Sequence, residues 1–178
     1  MELNSRQRKI KYACLALIIL ALDLLQNVGG LFPELFGARC FLLIPAVIYI
    51  SIGEEPFKAA MLGLFAGLLW DLTSLVHMGF NCLFFMLICY LASALTIFVA
   101  RDTFLTNFIL STAVTFIYCF IYWLFFILIK GVDGGELTII SFYLPSAVYT
   151  VIVSLALYAL YKPVKMKLNN VKQQSFEG

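Results

Sequence analysis

From Phe80 to Ala100 the sequence holds no charged residue. A helix of that length, rising 1.5 Å per residue, spans about 30 Å, the thickness of a bilayer's hydrocarbon core. Five more apolar runs lie along the chain, at residues 10–28, 36–52, 57–72, 107–129 and 137–161. The runs predict an all-α polytopic membrane protein, a bundle of six transmembrane helices forming one domain over residues 1–178. Composition supports lipid as the solvent. Hydrophobic residues make up 63% of the chain, against about 45–50% in soluble domains. Charged residues make up 12% and gather at the ends and in short gaps, so no stretch suits a separate soluble domain.

Charge gives the bundle a direction. The basic leader (Arg6, Arg8, Lys9, Lys11) is followed by no small-x-small cleavage site, so the first run reads as an uncleaved helix. Gly29-Gly30 and Pro33 end it. With the N-terminus inside, inner segments hold those four residues and Lys58, Arg101, Lys162, Lys165, Lys167 and Lys172, whereas outer ones hold only Arg39 and Lys130. This ten-to-two split obeys the positive-inside rule and places both termini on the cytoplasmic side.

Local signals fix further expectations. Pro56 suits the first turn of the third helix, with Glu54 and Glu55 at its positive end. Pro45 is expected to kink the second helix, and Asp102 or Thr106 to cap the fifth. Lys162-Pro163 should stop the sixth, leaving a basic tail over 162–178 that suits anionic lipid head groups. The aromatics from Phe116 to Phe126 are expected to face lipid.

The chemistry concentrates between Gly63 and Asn81. Ala59, Gly63, Gly67 and Asp71 recur every four residues, along one face of the third helix. Small residues on such a stripe let another helix approach closely, and Asp71 ends the stripe where a carboxylate needs partners. Asp23 and Asp71 each fall roughly 20 Å from the cytoplasmic edge of a core about 30 Å thick. With Gln26, Asn27, Thr73, Ser74, His77 and Asn81 they make one polar layer near the outer face. Three readings compete for it. The groups are helix ends meeting water and one another, with Asp71 capping the turn at Thr73-Ser74, Asn81 capping the fourth helix and Gly79 serving its turn. Alternatively they line an outward pocket for a ligand or a partner's segment. In the third reading the two acids exchange protons or cations, which the absence of an acid near the midplane disfavours.

Other chemistry is absent from the sequence. Cys14, Cys40, Cys82, Cys89 and Cys119 sit in apolar runs without a CxxC pair, so they read as small hydrophobes. His77 has no nearby Cys or His to share a metal. Walker, GxGxxG, HExxH and GxSxG motifs are missing, and Gly131–Glu136 lacks the ligand spacing of a calcium loop. No enzyme, cofactor, metal or nucleic-acid partner is expected.

Gly63-Leu-Phe-Ala-Gly67-Leu-Leu-Trp-Asp71-Leu-Thr-Ser74, followed by Gly79-Phe-Asn81 opening the next helix, resembles the MreD family, rod shape-determining membrane proteins of the bacterial elongation machinery. Length, six spans and a basic tail extend the likeness over nearly the whole chain. It departs from the family at Leu75, where a glycine is common, and at Ala38-Arg39-Cys40-Phe41, where a Pro-Asp-Leu start is usual. The resemblance implies a non-enzymatic scaffold for rod shape and peptidoglycan synthesis. It would bind MreC and help to position RodA and a penicillin-binding transpeptidase, with MreB reached indirectly. Its partner-facing or pocket residues would be Ala59, Gly63, Gly67, Asp71, Ser74, Gly79 and Asn81, with Asp23, Gln26 and Asn27. The family's fold is similar to the substrate-binding subunits of energy-coupling-factor vitamin transporters, which gives the alternative function.

Overall fold

The computed structural model describes residues 5–28, 37–74, 77–98, 102–131 and 135–170, and every regular element among them is helical. The first five are α1 (Ser5–Asn27), α2 (Leu43–Ser51), α3 (Pro56–Ser74), α4 (Phe80–Phe98) and α5 (Phe104–Trp123), the last continued by a π-helical turn, Leu124–Leu128. After them come α6 (Gly135–Thr138), a second π-helical turn (Ile139–Tyr143) and α7 (Leu144–Asn170). Four helical stretches, Gln7–Asn27, Phe80–Phe98, Phe104–Leu128 and Gly135–Met166, are long and apolar enough to cross a membrane. The α3 helix has 19 residues but interrupts its apolar run with Lys58 and Asp71.

Residue size is sorted in the way lipid demands. Large apolar side chains such as Leu17, Phe98 and Leu160 face outward, whereas three helices carry inward stripes of small or hydroxylic residues beside a core that also holds Leu15, Ile19 and Trp70. Those stripes are Ala59, Gly63 and Gly67 on α3, Ser111 and Thr115 on α5, and Ser146, Thr150 and Ser154 on α7. Lipid tails are as apolar as leucine, so helices associate here through close packing and hydrogen bonds rather than through escape from water.

The second apolar run departs most from expectation. Of the described residues 37–52, only Leu43–Ser51 are helical, and all nine are buried. At 1.5 Å per residue α2 is about 14 Å long, too short to cross alone. It sits at the centre, against α1, α3, α4, α5 and α7. Being apolar on all sides, it suits that place. Pro45 therefore lies in the first turn, where its missing N–H costs no helical bond, and it does not kink a longer helix. Residues 37–42 ahead of it are non-helical, and two of their backbone donors, with that of Leu43, are met by side chains from elsewhere. Arg39 N–H donates to Ser146 Oγ (3.0 Å), Phe41 N–H to Thr150 Oγ1 (2.9 Å) and Leu43 N–H to Gln26 Oε1 (2.9 Å). Irregular backbone at membrane depth is tolerable when it is buried and satisfied in this way.

At one end of the bundle the first turns of α1 and the last of α7 converge on the α2–α3 turn. Lys11 pairs with Glu54, whose Oε2 also accepts from the Tyr12 hydroxyl at 3.0 Å. Lys165 donates to Ile52 O at 2.9 Å and to Asp102 Oδ2 at 2.6 Å. Two expectations fail here. The α7 helix continues through Pro163, because Lys165 beyond it is tied down. Thr103 caps α5, accepting from Thr106 N–H at 3.3 Å, because Asp102 is drawn to Lys165 and Asn107.

Candidate functional site

The α3 stripe is filled by α4. A Cβ added to Gly63 would lie 2.8 Å from Cys89 Sγ and closer still to the Phe85 carbonyl oxygen. One added to Gly67 would lie 2.5 Å from Cys82 Cα, against backbone that cannot yield. Ala59 is fully buried on the same stripe. The small residues thus pack one helix of the chain on the next.

Asp71 ends this seam in the buried interior, 2% exposed. Its Oδ2 accepts from the backbone N–H groups of Gly79 (2.8 Å) and Cys82 (3.1 Å). Its Oδ1 accepts from Asn81 N–H (3.3 Å) and Asn81 Nδ2 (2.9 Å). The carboxylate thereby supplies the unpaired donors at the start of α4 and lies at that helix's positive end. It caps the next helix across the turn and leaves Thr73, which donates instead to Trp70 O. Asn81 is a linker rather than a cap: its Oδ1 accepts from the Tyr118 hydroxyl at 2.8 Å, tying α3 and α4 to α5. Gly79 takes φ +94°, a backbone conformation that glycine reaches at little cost. Ser74 is half-buried at the end of α3, and its side chain makes no hydrogen bond to another described residue.

Aromatic side chains pack around this knot. Trp70, Phe85 and Phe41 surround Tyr118, with ring centroids 5.5–6.2 Å away. The α5 aromatics are therefore split: Tyr118 turns inward, Tyr122 is half-buried, and Phe116, Phe120 and Phe125 face outward as expected. Beyond the knot, His77 stacks on Phe126 with centroids 3.7 Å apart. Its Nδ1 lies 2.7 Å from the Tyr122 hydroxyl and its Nε2 3.3 Å from Lys130 Nζ. Burial first, and the Lys130 charge second, hold the imidazole below its ordinary pKa.

The α1 members of the expected polar layer form a second, separate group. Asp23 follows Leu15 and Ile19 on the buried stripe of α1 and is likewise 2% exposed. Its Oδ1 has no hydrogen-bond partner. Gln26 caps α2, and Asn27 donates to the backbone carbonyl of Asp23 at 2.9 Å. Sequence reasoning missed Ser146 and Thr150, which hold the segment ahead of α2. Their signal was the four-residue spacing of hydroxyls at 146, 150 and 154. Residues 29–36 and Leu75, on which other expectations fall, lie outside the described residues.

Among the described residues no three His, Cys, Asp or Glu side chains converge as metal ligands, and the five cysteines are unpaired. A groove of about 180 Å³ lies between α1, α2 and α7, lined by Ile18, Leu22, Ala46, Ile50, Leu157, Leu160, Tyr161 and Val164. It is apolar and lined by neither aspartate. No curated protein and no solved structure is significantly similar to the chain. The family model described as rod shape-determining protein MreD, however, matches residues 7–166. With its apolar helices, glycine seam and buried aspartate, the chain belongs to the MreD family of membrane proteins that determine rod shape.

Proposed function

We propose that the protein is a non-enzymatic scaffold of the elongation machinery in the bacterial plasma membrane, binding MreC and supporting peptidoglycan synthesis by RodA and its transpeptidase. In this reading it is one domain of six membrane-crossing segments, with α2 and the chain before it acting as the second. The meeting of α1's first turns and α7's last turns on one turn supports placing both termini on one side. The positive-inside pattern makes that side cytoplasmic.

One observation carries the scaffold reading beyond family membership. The glycine seam and Asp71, which the resemblance offered as partner-facing or pocket residues, fasten α3, α4 and α5 together. The result is a prebuilt core whose outer surfaces are left for lipid and partners, as preorganised binding favours. A vitamin carrier needs convergent polar groups in a cavity, whereas the groove between α1 and α7 is apolar. Co-purification of MreC with the tagged chain from solubilised membranes, and rounding of rod cells on its depletion, are the expected results. Retention of a vitamin instead, with cell shape unchanged, would favour the transporter.

A further inference from the structure

We propose that Asp23 is the binding site for a basic side chain, an arginine guanidinium or lysine ammonium, supplied by a membrane-embedded partner. The inference rests on the scaffold reading, since a partner must bring the cation. Its evidence is the balance of donors and acceptors at the outer end of α1. Among the described residues, the hydrogen-bonded donors of this region go to other acceptors. Arg39, Phe41 and Leu43 N–H groups go to Ser146, Thr150 and Gln26. Asn27, one turn beyond Asp23, gives its amide to the Asp23 backbone carbonyl rather than to the carboxyl group. Asp23 Oδ1 is left buried without a partner.

Two hydroxyls, on Ser111 and Thr112, share that condition, but a helical hydroxyl can turn to its own helix's carbonyls. An ionised carboxylate only accepts, so in that form Asp23 needs a donor that the described residues do not supply to its Oδ1. Intramembrane acids are costly and usually paired, and a cation removes the cost. Asp23 itself is 2% exposed, but the α1 surface beside it faces outward, with Leu24 and Val28 56% and 53% exposed and Asn27 also exposed. A long basic side chain can lay its stem on such a surface while its head reaches the acid.

The test uses the full chain in lipid nanodiscs, with full-length MreC as the probe. Asp23→Asn keeps the shape and removes the acid. It should raise the melting temperature of the isolated chain, yet weaken MreC binding by about thirtyfold or more, as expected when one member of a buried charge pair is lost. Asp23→Glu should restore part of the affinity. Replacing the membrane-proximal arginines and lysines of MreC singly should reveal one whose loss is not additive with Asp23→Asn. A structural acid would behave otherwise: a fall in melting temperature, or unchanged affinity, overturns the proposal. Failure of the wild-type chain to bind MreC contradicts the scaffold reading instead. The comparison is then made with RodA and its transpeptidase, and the proposal falls if neither distinguishes variant from wild type.

Discussion

Asp71 and Asp23 are equally buried, each 2% exposed and each on the inward stripe of its helix, yet they live in opposite surroundings. Asp71 accepts four hydrogen bonds from three residues at the start of α4. Asp23 Oδ1 accepts none. The difference lies in what the neighbouring helix start offers. At α4 the donors are free because Gly79 bends the chain back over the end of α3. At α2 the donors are taken by Gln26 and by two α7 hydroxyls before the acid can use them. Burial alone therefore does not reveal what an intramembrane acid does; the count of donors around it does.

The heaviest blow to the Asp71 side is Gly67→Leu. Side-chain atoms would enter the backbone of Asn81 and Cys82, part α3 from α4 and pull the cap off its donors. Loss of a folded, monodisperse peak in size-exclusion chromatography is the expected outcome; a normal peak would mean that the helices do not touch there. Asp71→Ala ranks next. It leaves the Gly79, Asn81 and Cys82 donors without their acceptor, a cost of about 3 kcal/mol or more at 1–3 kcal/mol per buried group. Chemical unfolding in mixed micelles reads that loss directly, and a change within 0.5 kcal/mol would reduce Asp71 to a bystander.

The smallest effect comes from the rim of the Asp71 region. His77 is harder to protonate in the fold because burial and Lys130 disfavour its charge. The unfolded chain therefore takes up a proton first as pH falls through about 6.5, the ordinary value. Stability is then lost progressively until the lowered folded pKa is reached. Melting temperatures across pH 7.5 to 5 should fall modestly, and His77→Gln should flatten the slope. An unchanged slope in that variant would place the titration elsewhere.

Much of this architecture is legible along the chain. The Phe80–Phe98 helix stands out because its sequence is apolar and uncharged, and the glycine spacing foretells a close approach because only glycine admits another backbone at that distance. Where the sequence misleads, distant residues decide. Gly37 and Pro45 are the local signals against a helix from Phe36, and α2 begins at Leu43 with Ser146 and Thr150, over 100 residues away, holding the preceding backbone. Asp71 reads as a cap for its own turn, but its donors lie eight to eleven residues onward. Pro163 reads as a stop, but Lys165 fixes α7 beyond it to Ile52 and Asp102.

The decisive measurement melts Asp71→Asn and Asp23→Asn side by side in the same nanodiscs, without any partner. The first variant should lose about 6–12 °C, corresponding to roughly 3 kcal/mol in a chain of this size, because an amide presents donors where donors already crowd. The second should melt above the wild-type temperature, because the exchange removes an acid whose Oδ1 no described residue compensates. A comparable fall in both would contradict the account, since the two aspartates would then be doing the same structural work.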